Sequence, residues 1–206
     1  MAKYSLSFTA ASLMPFEFWQ VAQEYVKSQK DWEVAKKRII EKNILQKASS
    51  STIKRKLQEY KKRSLALTDK ELDGLIHSDE KQLYAFLSAL KTYPLLYEFC
   101  IEVLRNKYHN YDPILQDRDW DDFLEAKKSV SDELARKSES TLKKAYQVIK
   151  LILLEAGIIQ DKKSMQLIKP YVSKTFIQNL CEDNPKWLAG FLYSDSEIQK
   201  MCQERQ

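Results

Sequence analysis

Glycine and proline are scarce in this chain, whose 206 residues include three glycines and five prolines. Hairpins and tight turns depend on these two residue types, so the scarcity argues against a β-rich fold and favours a mostly helical one. Apolar residues make up 44% and charged residues 31% of the chain. This balance is typical of a globular protein with a hydrophobic core, and it excludes a disordered or fibrous protein.

Long apolar runs are also missing. The longest, VIKLILLEAGII, is interrupted by Lys150 and Glu155, whereas a membrane-spanning helix needs about 20 mostly apolar residues. The first residues, MAKYSLSFTAASL, contain one lysine and no long apolar stretch before a small-residue cleavage site, so they do not form a secretion signal. We therefore expect no membrane segment and a cytoplasmic location.

Cysteine and histidine are too few and too dispersed to predict a metal site. Cys100, Cys181 and Cys202 are odd in number and widely separated, and neither His77 nor His109 lies near them in sequence. Structural zinc sites have closely spaced pairs of ligands, which this pattern lacks. We expect reduced, mostly buried thiols, no metal and no cofactor.

Acidic residues form two short motifs that do not complete a catalytic or calcium site. The stretch DRDWDD at 117–122 has aspartates at alternate positions, but a calcium loop would need glycine at Asp122 and glutamate at Lys128. The motif Glu-Ala-Lys at 125–127 follows a helix start, whereas the matching element of metal-dependent nucleases belongs on a strand. We predict helix capping and a solvated helical face instead, and we identify no catalytic residues.

Apolar residues recur at helical spacing along most of the chain, with short loops between the helices. The pattern predicts an all-α, compact multi-helix globular fold in a single domain, 1–206. Two closely packed lobes, a basic N-terminal one at 1–110 and a second at 119–206, are the alternative. Residues 158–168 form either a short hairpin or wing or an irregular turn. A helix at about 31–42, a connector and a second helix at about 51–66 resemble a helix-turn-helix.

Positive charge is concentrated in the first third of the chain. Residues 1–67 contain 14 basic and 6 acidic side chains, a net charge of +8, and residues 68–206 contain 20 and 23, a net charge of −3. The segment 47–63 alone has a net charge of +6, from seven basic residues against Glu59. The seven are Lys47, Lys54, Arg55, Lys56, Lys61, Lys62 and Arg63. This asymmetry indicates a polyanionic partner for one face of the protein.

Small hydroxyl side chains precede these cations at the predicted start of a helix. Free backbone N–H groups and hydroxyls at a helix start can bind phosphate. We therefore predict a nucleic-acid contact made by Ser50, Ser51, Thr52 and the seven basic residues of 47–63. The alternatives are a solvated lysine-rich surface or a surface that binds an acidic protein.

A similar pattern occurs in SESTLKKAYQVIK at 138–150. Here Thr141 is followed by Lys143 and Lys144, and Lys162 lies in the turn after the same predicted helix. These four residues are a second candidate contact with DNA. Ordinary helix capping explains the hydroxyls of this segment equally well.

Several stretches together resemble one protein family. They are YSLSFTAASL (4–13), DW (31–32), NILQ (43–46), SSSTIKRKLQEYKKR (49–63), LT and EL (67–72), YP followed by EF (93–99), STLKKAYQV (140–148) and LLEAGII (153–159). In this order they resemble the BrxA family, a small core component of bacteriophage-exclusion (BREX) defence systems. The resemblance covers about residues 4–180, and the last stretch, 181–206, is not matched.

The resemblance implies a helical fold similar to the antitermination factor NusB, double-stranded DNA binding through a positive surface, and no catalysis. It also implies that the protein acts beside the methyltransferase, phosphatase-like and ATPase components of such a system. We expect a monomer. The alternatives are an RNA-binding protein of NusB-like shape and an assembly adaptor whose basic face binds an acidic subunit. Single-stranded RNA readers present exposed aromatics, and the aromatics here lie mostly on predicted buried stripes, which favours duplex DNA.

Overall fold

Helices account for nearly all regular structure in the computed structural model, which describes residues 4–46 and 49–203. The helices of this part of the chain are α1 (Pro15–Lys27), α2 (Trp32–Glu41), α3 (Ser50–Ala66), α4 (Asp69–His77), α5 (Lys81–Thr92), α6 (Pro94–Phe99), α7 (Arg105–His109), α8 (Asp117–Val130), α9 (Asp132–Ala135), α10 (Glu139–Glu155), α11 (Lys174–Asp183) and α12 (Asp195–Gln203). The described residues contain two isolated β-bridges and no β-strand. The predicted all-α class is confirmed.

Short segments of other helix types complete the architecture. Two 3-10 segments, Ser7–Ala10 and Pro185–Phe191, lie near the two ends of the chain. A π-helical turn, Cys100–Leu104, joins α6 to α7 without leaving the helical conformation, so that they form one continuous helix. No helix among the described residues is long and apolar enough to cross a membrane.

Side-chain caps place the helix starts where the sequence predicts them. The Asp31 carboxylate accepts hydrogen bonds from the backbone N–H groups of Glu33 and Val34 at the start of α2. Thr68 begins α4 with a capping box, in which its hydroxyl accepts from Glu71 N–H and the Glu71 carboxylate accepts from Thr68 N–H. These bonds satisfy donors that a helix start otherwise leaves free.

Helix α5 is the centre of the N-terminal part of the fold. All eight residues from Leu83 to Leu90 are buried, and α5 packs against α1, α3 and α4. A helix that is apolar around its whole circumference is stable in water only when other elements surround it. Gly74 on α4 permits one of these close contacts, because a Cβ atom there would lie 2.2 Å from the Tyr84 ring.

The N-terminal segment links the two halves of the chain. The 3-10 segment Ser7–Ala10 contacts both α3 and α10. The Ser12 hydroxyl and the Met14 N–H group both donate to the Glu155 carboxylate at the end of α10, at 3.3 and 3.2 Å. The second halves of α3 and α10 therefore meet the same short stretch of chain.

Residues 158–168 form a hairpin-like turn after α10. Ile159 and Leu167 make an isolated antiparallel bridge, and Ile168 N–H donates to Ile158 C=O at 2.8 Å. Gly157, with φ of 73°, ends α10 in the left-handed conformation that glycine adopts readily. Of the two alternatives for this segment, a short hairpin or wing and an irregular turn, the structure has a hairpin-like turn with a single bridge.

The prediction of three reduced thiols is wrong for two of them. Cys181 on α11 and Cys202 on α12 form a disulfide, with their Cα atoms 5.7 Å apart. The 21-residue separation concealed this pair, because α11 and the segment Pro185–Phe191 fold back and bring α12 alongside α11. Cys100 is free and buried, and burial raises the pKa of its thiol.

Candidate nucleic-acid interface

The start of α3 presents a row of exposed hydroxyls held by one cap. Ser49 Oγ accepts from Thr52 N–H at 3.3 Å, and it lies 3.0 Å from Ser51 Oγ and 2.9 Å from Thr52 Oγ1. Ser50, Ser51 and Thr52 are all exposed. The predicted hydroxyl cluster is therefore at the surface, beside the backbone N–H groups of the first turn.

Lys54 and Arg55 follow in the second turn of α3. Both side chains are exposed, and neither forms an ion pair with a carboxylate of the described residues. In a helix each Cα–Cβ bond tilts toward the N-terminus, so long side chains of the second turn can reach back over the first. The two cations and the hydroxyls can therefore contact one anion together.

Lys56 was predicted as a DNA contact, and the structure assigns it to the protein's own interior. Its Nζ donates to both carboxylate oxygens of Glu17 on α1, at 2.8 and 3.0 Å, and the Lys56 side chain is 14% exposed. The Tyr60 hydroxyl donates to the same carboxylate. Burial raises the pKa of Tyr60, and the neighbouring Glu17 charge raises it further. Lys56 therefore joins α3 to α1.

Arg63 is the clearest correction to the predicted site. Its side chain is buried, with 2% relative exposure. Its guanidinium donates to Ser88 Oγ at 3.0 Å and to the backbone carbonyls of Leu13, Ser12 and Ala85 at 3.0, 3.3 and 3.3 Å. Desolvation lowers the pKa of Arg63. An internal position excludes contact with DNA.

Lys61 and Lys62 lie near the surface, and both contact other side chains of the protein. Lys62 Nζ donates to the buried Glu59 carboxylate at 2.9 Å and to Ser7 Oγ at 3.2 Å. Lys61 lies over the Trp32 ring, 6.0 Å from its centroid. The basic segment 47–63 is thus not one continuous ribbon of free cations, because only Lys54 and Arg55 among its described basic residues have neither a carboxylate nor an aromatic partner.

One predicted residue of this segment, Lys47, lies outside the described residues.

Helices α2 and α3 form a hairpin with a cleft between them. A cavity of about 470 Å³ is bounded by Trp32 and Lys61 and also by Ile40 and Ser50. The start of α2 thus faces the second half of α3, and the end of α2 faces the start of α3, so the two helices run antiparallel. Helix α2, a connector of eight residues, 42–49, and α3 follow one another in the predicted order. An antiparallel pair with this connector differs from a helix-turn-helix, whose helices cross at about 90–120° after a turn of 3–4 residues.

The start of α10 repeats the geometry of α3. Ser138 Oγ accepts from Thr141 N–H at 3.3 Å, and it lies 3.1 Å from Ser140 Oγ and 2.9 Å from Thr141 Oγ1. Lys143 and Lys144 stand five and six residues after the cap, as Lys54 and Arg55 do after Ser49. Both α3 and α10 are 17 residues long. The two motifs, S-x-S-T-[I/L]-K-[R/K], have the same cap geometry and differ at the first helical residue, which is Ser50 in α3 and Glu139 in α10.

The predicted cations of α10 and of the turn after it have no carboxylate partner in the part of the chain that the structure describes. Thr141, Lys143, Lys144 and Lys162 are exposed, and none of these lysines has a carboxylate partner among the described residues. Sequence reasoning did not include Arg136, which is exposed and also unpaired in the part of the chain that the structure describes. Its position two residues before the Ser138 cap, in ARKSESTLKK, is the signal that could have identified it.

In a comparison with protein-family models, residues 2–184 match the model described as BrxA. The chain belongs to the BrxA family. Relatives named BREX protein BrxA occur in Bacillus cereus, at 28% identity over 86% of this chain and 90% of the relative, and in Paramagnetospirillum magneticum, at 28% identity over 71% and 74%. The family resemblance seen in the sequence is confirmed.

A solved structure shares the fold. The crystal structure of an uncharacterized protein from Magnetospirillum magneticum matches with a TM-score of 0.78, over 93% of this chain and 98% of that chain. The sequence identity is 22%, so this likeness supports the fold alone.

Proposed function

We propose that this BrxA-family protein is a non-enzymatic, double-stranded DNA-binding component of a BREX phage defence system. The observation that supports DNA binding best is the repeated motif at the starts of α3 and α10. Each copy joins exposed hydroxyls and first-turn N–H groups to two cations that lack a carboxylate partner among the described residues. The proposal gives the chain a cytoplasmic role, as a monomer beside the system's methyltransferase, phosphatase-like and ATPase components.

The physical basis is the attraction of a phosphate to a helix start. The first N–H groups of a helix have no intrahelical acceptor and are equivalent to a partial positive charge. Cations in the next turn repel that partial charge and each other, so an anion at this place stabilises all of them together. Phosphate groups of a duplex are such anions, and their recognition through the backbone requires no particular base sequence.

Four cations enter this interface, Lys54, Arg55, Lys143 and Lys144. If each releases one counterion from the duplex, log affinity falls against log salt with a slope of about −3.6, which is about 150-fold between 50 and 200 mM salt. Titration of a fluorescent duplex at several salt concentrations measures this slope. No binding at low salt, or a slope near zero, contradicts the proposal.

Charge reversal separates the two motifs. We expect two double variants, Lys54→Glu/Arg55→Glu and Lys143→Glu/Lys144→Glu, each to weaken duplex binding. Replacing either pair with alanine instead should reduce the slope of log affinity against log salt to about −1.8. Arg118→Glu/Lys186→Glu is the control, because it makes the same charge change at exposed positions outside both motifs. Equal loss of affinity in the control would show that net charge, rather than the motifs, determines binding.

RNA is the second candidate ligand, because two tyrosines are largely exposed. Tyr111 and Tyr171 have relative exposures of 95% and 88%, and exposed aromatic rings can stack with unpaired bases. Neither lies on α3 or α10, so the motifs themselves favour a duplex. Competition between duplex DNA and single-stranded RNA of the same sequence distinguishes the two. Stronger competition by RNA, weakened by Tyr111→Ala, would replace the DNA proposal.

A further inference from the structure

Two apolar side chains of helix α10, Leu151 and Leu154, are only partly covered by the rest of the protein. Val148, Leu151 and Leu154 recur at every third position, and Leu151 and Leu154 remain partly exposed. With Ile159 and Met165 they line an open groove of about 380 Å³ between α10 and the following turn. This volume is within the range of about 300–1,000 Å³ found for ligand sites.

The wall opposite α10 is a well-ordered turn. The Asp161 carboxylate accepts from the N–H groups of Lys163 and Ser164 at 2.7 and 2.8 Å, and from Ser164 Oγ at 2.7 Å. These hydrogen bonds lower the pKa of Asp161. The bridge between Ile159 and Leu167 closes the base of the turn. The groove is therefore formed before anything binds in it, which reduces the entropy lost on binding.

Three lysines border the apolar floor. Lys144 and Lys162 are exposed and have no carboxylate partner among the described residues. Lys150 lies 3.1 Å from Asp117 and 4.2 Å from the centre of the Tyr146 ring, so its charge is already engaged. None of the described residues that line the groove is acidic. Its chemistry is thus an apolar floor between two free positive charges.

We propose that this groove binds an acidic amphipathic helix of another protein, with apolar side chains against Leu151 and Leu154 and carboxylates at Lys144 and Lys162. Helices that bind in grooves insert residues at i, i+3, i+4 and i+7, and charge complementarity at the border selects the partner. Lys144 belongs to both this groove and the α10 motif, so a duplex and a partner helix would compete for it. A DNA strand would leave Leu151 and Leu154 in water, so the apolar floor favours a protein. This inference goes beyond DNA binding and does not depend on the α3 motif.

Zero-length coupling with a water-soluble carbodiimide tests the contact directly, because it joins a lysine to a carboxylate only where the two touch. The probe is the complex purified from cells that express all components of the BREX system, digested and analysed by mass spectrometry. We expect Lys144 or Lys162 to be joined to aspartates or glutamates within one helical segment of one component. The absence of any such link would overturn the proposal.

Two groove variants test whether the apolar floor and the lysine border are needed for the partner to bind. Leu151→Asn should reduce the yield of the link from Lys144 at least tenfold. Lys162→Glu, at an exposed position where misfolding is not expected, should reduce it at least threefold. Lys186→Glu, on a different surface segment, should leave the yield unchanged. Unchanged yields in both groove variants would overturn the inference.

Duplex titration with the same variants separates this inference from the DNA proposal. We expect Leu151→Asn, which adds no charge beside Lys144, to change duplex affinity less than twofold. If Leu151→Asn instead weakens duplex binding as much as it reduces the link, the groove belongs to the DNA surface and the protein-docking inference is wrong. If duplex binding is absent in the unmodified protein but the link is found, the DNA proposal fails and this inference stands.

Discussion

Replacing the buried Arg63 with alanine should destabilise the protein by about 3–5 kcal/mol, because several contacts of its buried guanidinium are lost together. The Leu13 carbonyl would lose its buried donor and the Ser12 carbonyl a partly buried one. Each unsatisfied buried acceptor costs about 1–3 kcal/mol. The guanidinium also lies 4.2 Å from the centre of the Phe18 ring, a contact that contributes up to about 2 kcal/mol when desolvated. Ala85 C=O keeps the hydrogen bond from the Ser88 hydroxyl, so its loss is small.

Urea unfolding followed by far-ultraviolet circular dichroism measures this loss. Arg55→Ala is the matched control, because it removes a guanidinium from the exposed side of the same helix. We expect it to change the unfolding free energy by less than about 0.5 kcal/mol. Duplex titrations should show the opposite difference between the two variants. Arg55→Ala should weaken duplex binding, and Arg63→Ala should leave the affinity of the folded protein unchanged. A stability loss below about 1 kcal/mol for Arg63→Ala, at an unchanged dependence on urea, would refute the structural role.

Two further predictions concern the C-terminal part of the chain. The Cys181–Cys202 disulfide joins residues 21 positions apart, and its reduction should lower the unfolding free energy by about 3 kcal/mol. Reductant should not change the stability of Cys202→Ser, which cannot form the bond. Equal stability of the unmodified protein with and without reductant would contradict the prediction. Burial acts to raise the pKa of Glu197, but hydrogen bonds from Lys169 and Ser194 outweigh it and lower the pKa from 4.5 to about 2. The charged carboxylate therefore stabilises the fold above pH 4.5, and this contribution is lost as the pH falls toward 2. We expect Glu197→Gln to flatten the decrease of unfolding free energy over this interval, and an unchanged slope would contradict the assignment.

The local structure of both motifs could be read from the sequence. A helix start is specified by hydrogen bonds between residues at most four positions apart. In both motifs a serine caps the helix, and two hydroxyl residues and an apolar residue follow it. Ser49 and Ser138 cap α3 and α10 in this way. For the same reason Gly157 marks the end of α10. The family was also recognisable, because several short stretches occur in the same order.

The burial and the partners of the basic side chains could not be predicted from the sequence in this way. Lys56 and Arg63 were assigned to the surface because of their charge, yet both flank Tyr60, at four residues before and three after it, and so share its side of α3. This spacing indicates that the two side chains are partly or fully buried. It does not show that Lys56 pairs with Glu17 on α1, or that the carbonyls of Ser12 and Leu13 accept hydrogen bonds from Arg63. Partners more than 35 residues away in sequence are brought together only by the packing of helices.

The sequence by itself determined the helices, their capped starts and the family, because each depends on neighbouring residues or on ordered short motifs. The tertiary structure decided which cations are available to a ligand. A buried charge is stable only beside acceptors or opposite charges of the same protein, so the packing pairs Lys56 with Glu17 and Arg63 with backbone carbonyls. Lys62 stays at the surface, where it pairs with the buried Glu59 carboxylate. Lys54, Arg55, Lys143 and Lys144 remain exposed and without a carboxylate partner among the described residues. The packing of distant segments also formed the disulfide and the lysine-bordered groove on α10.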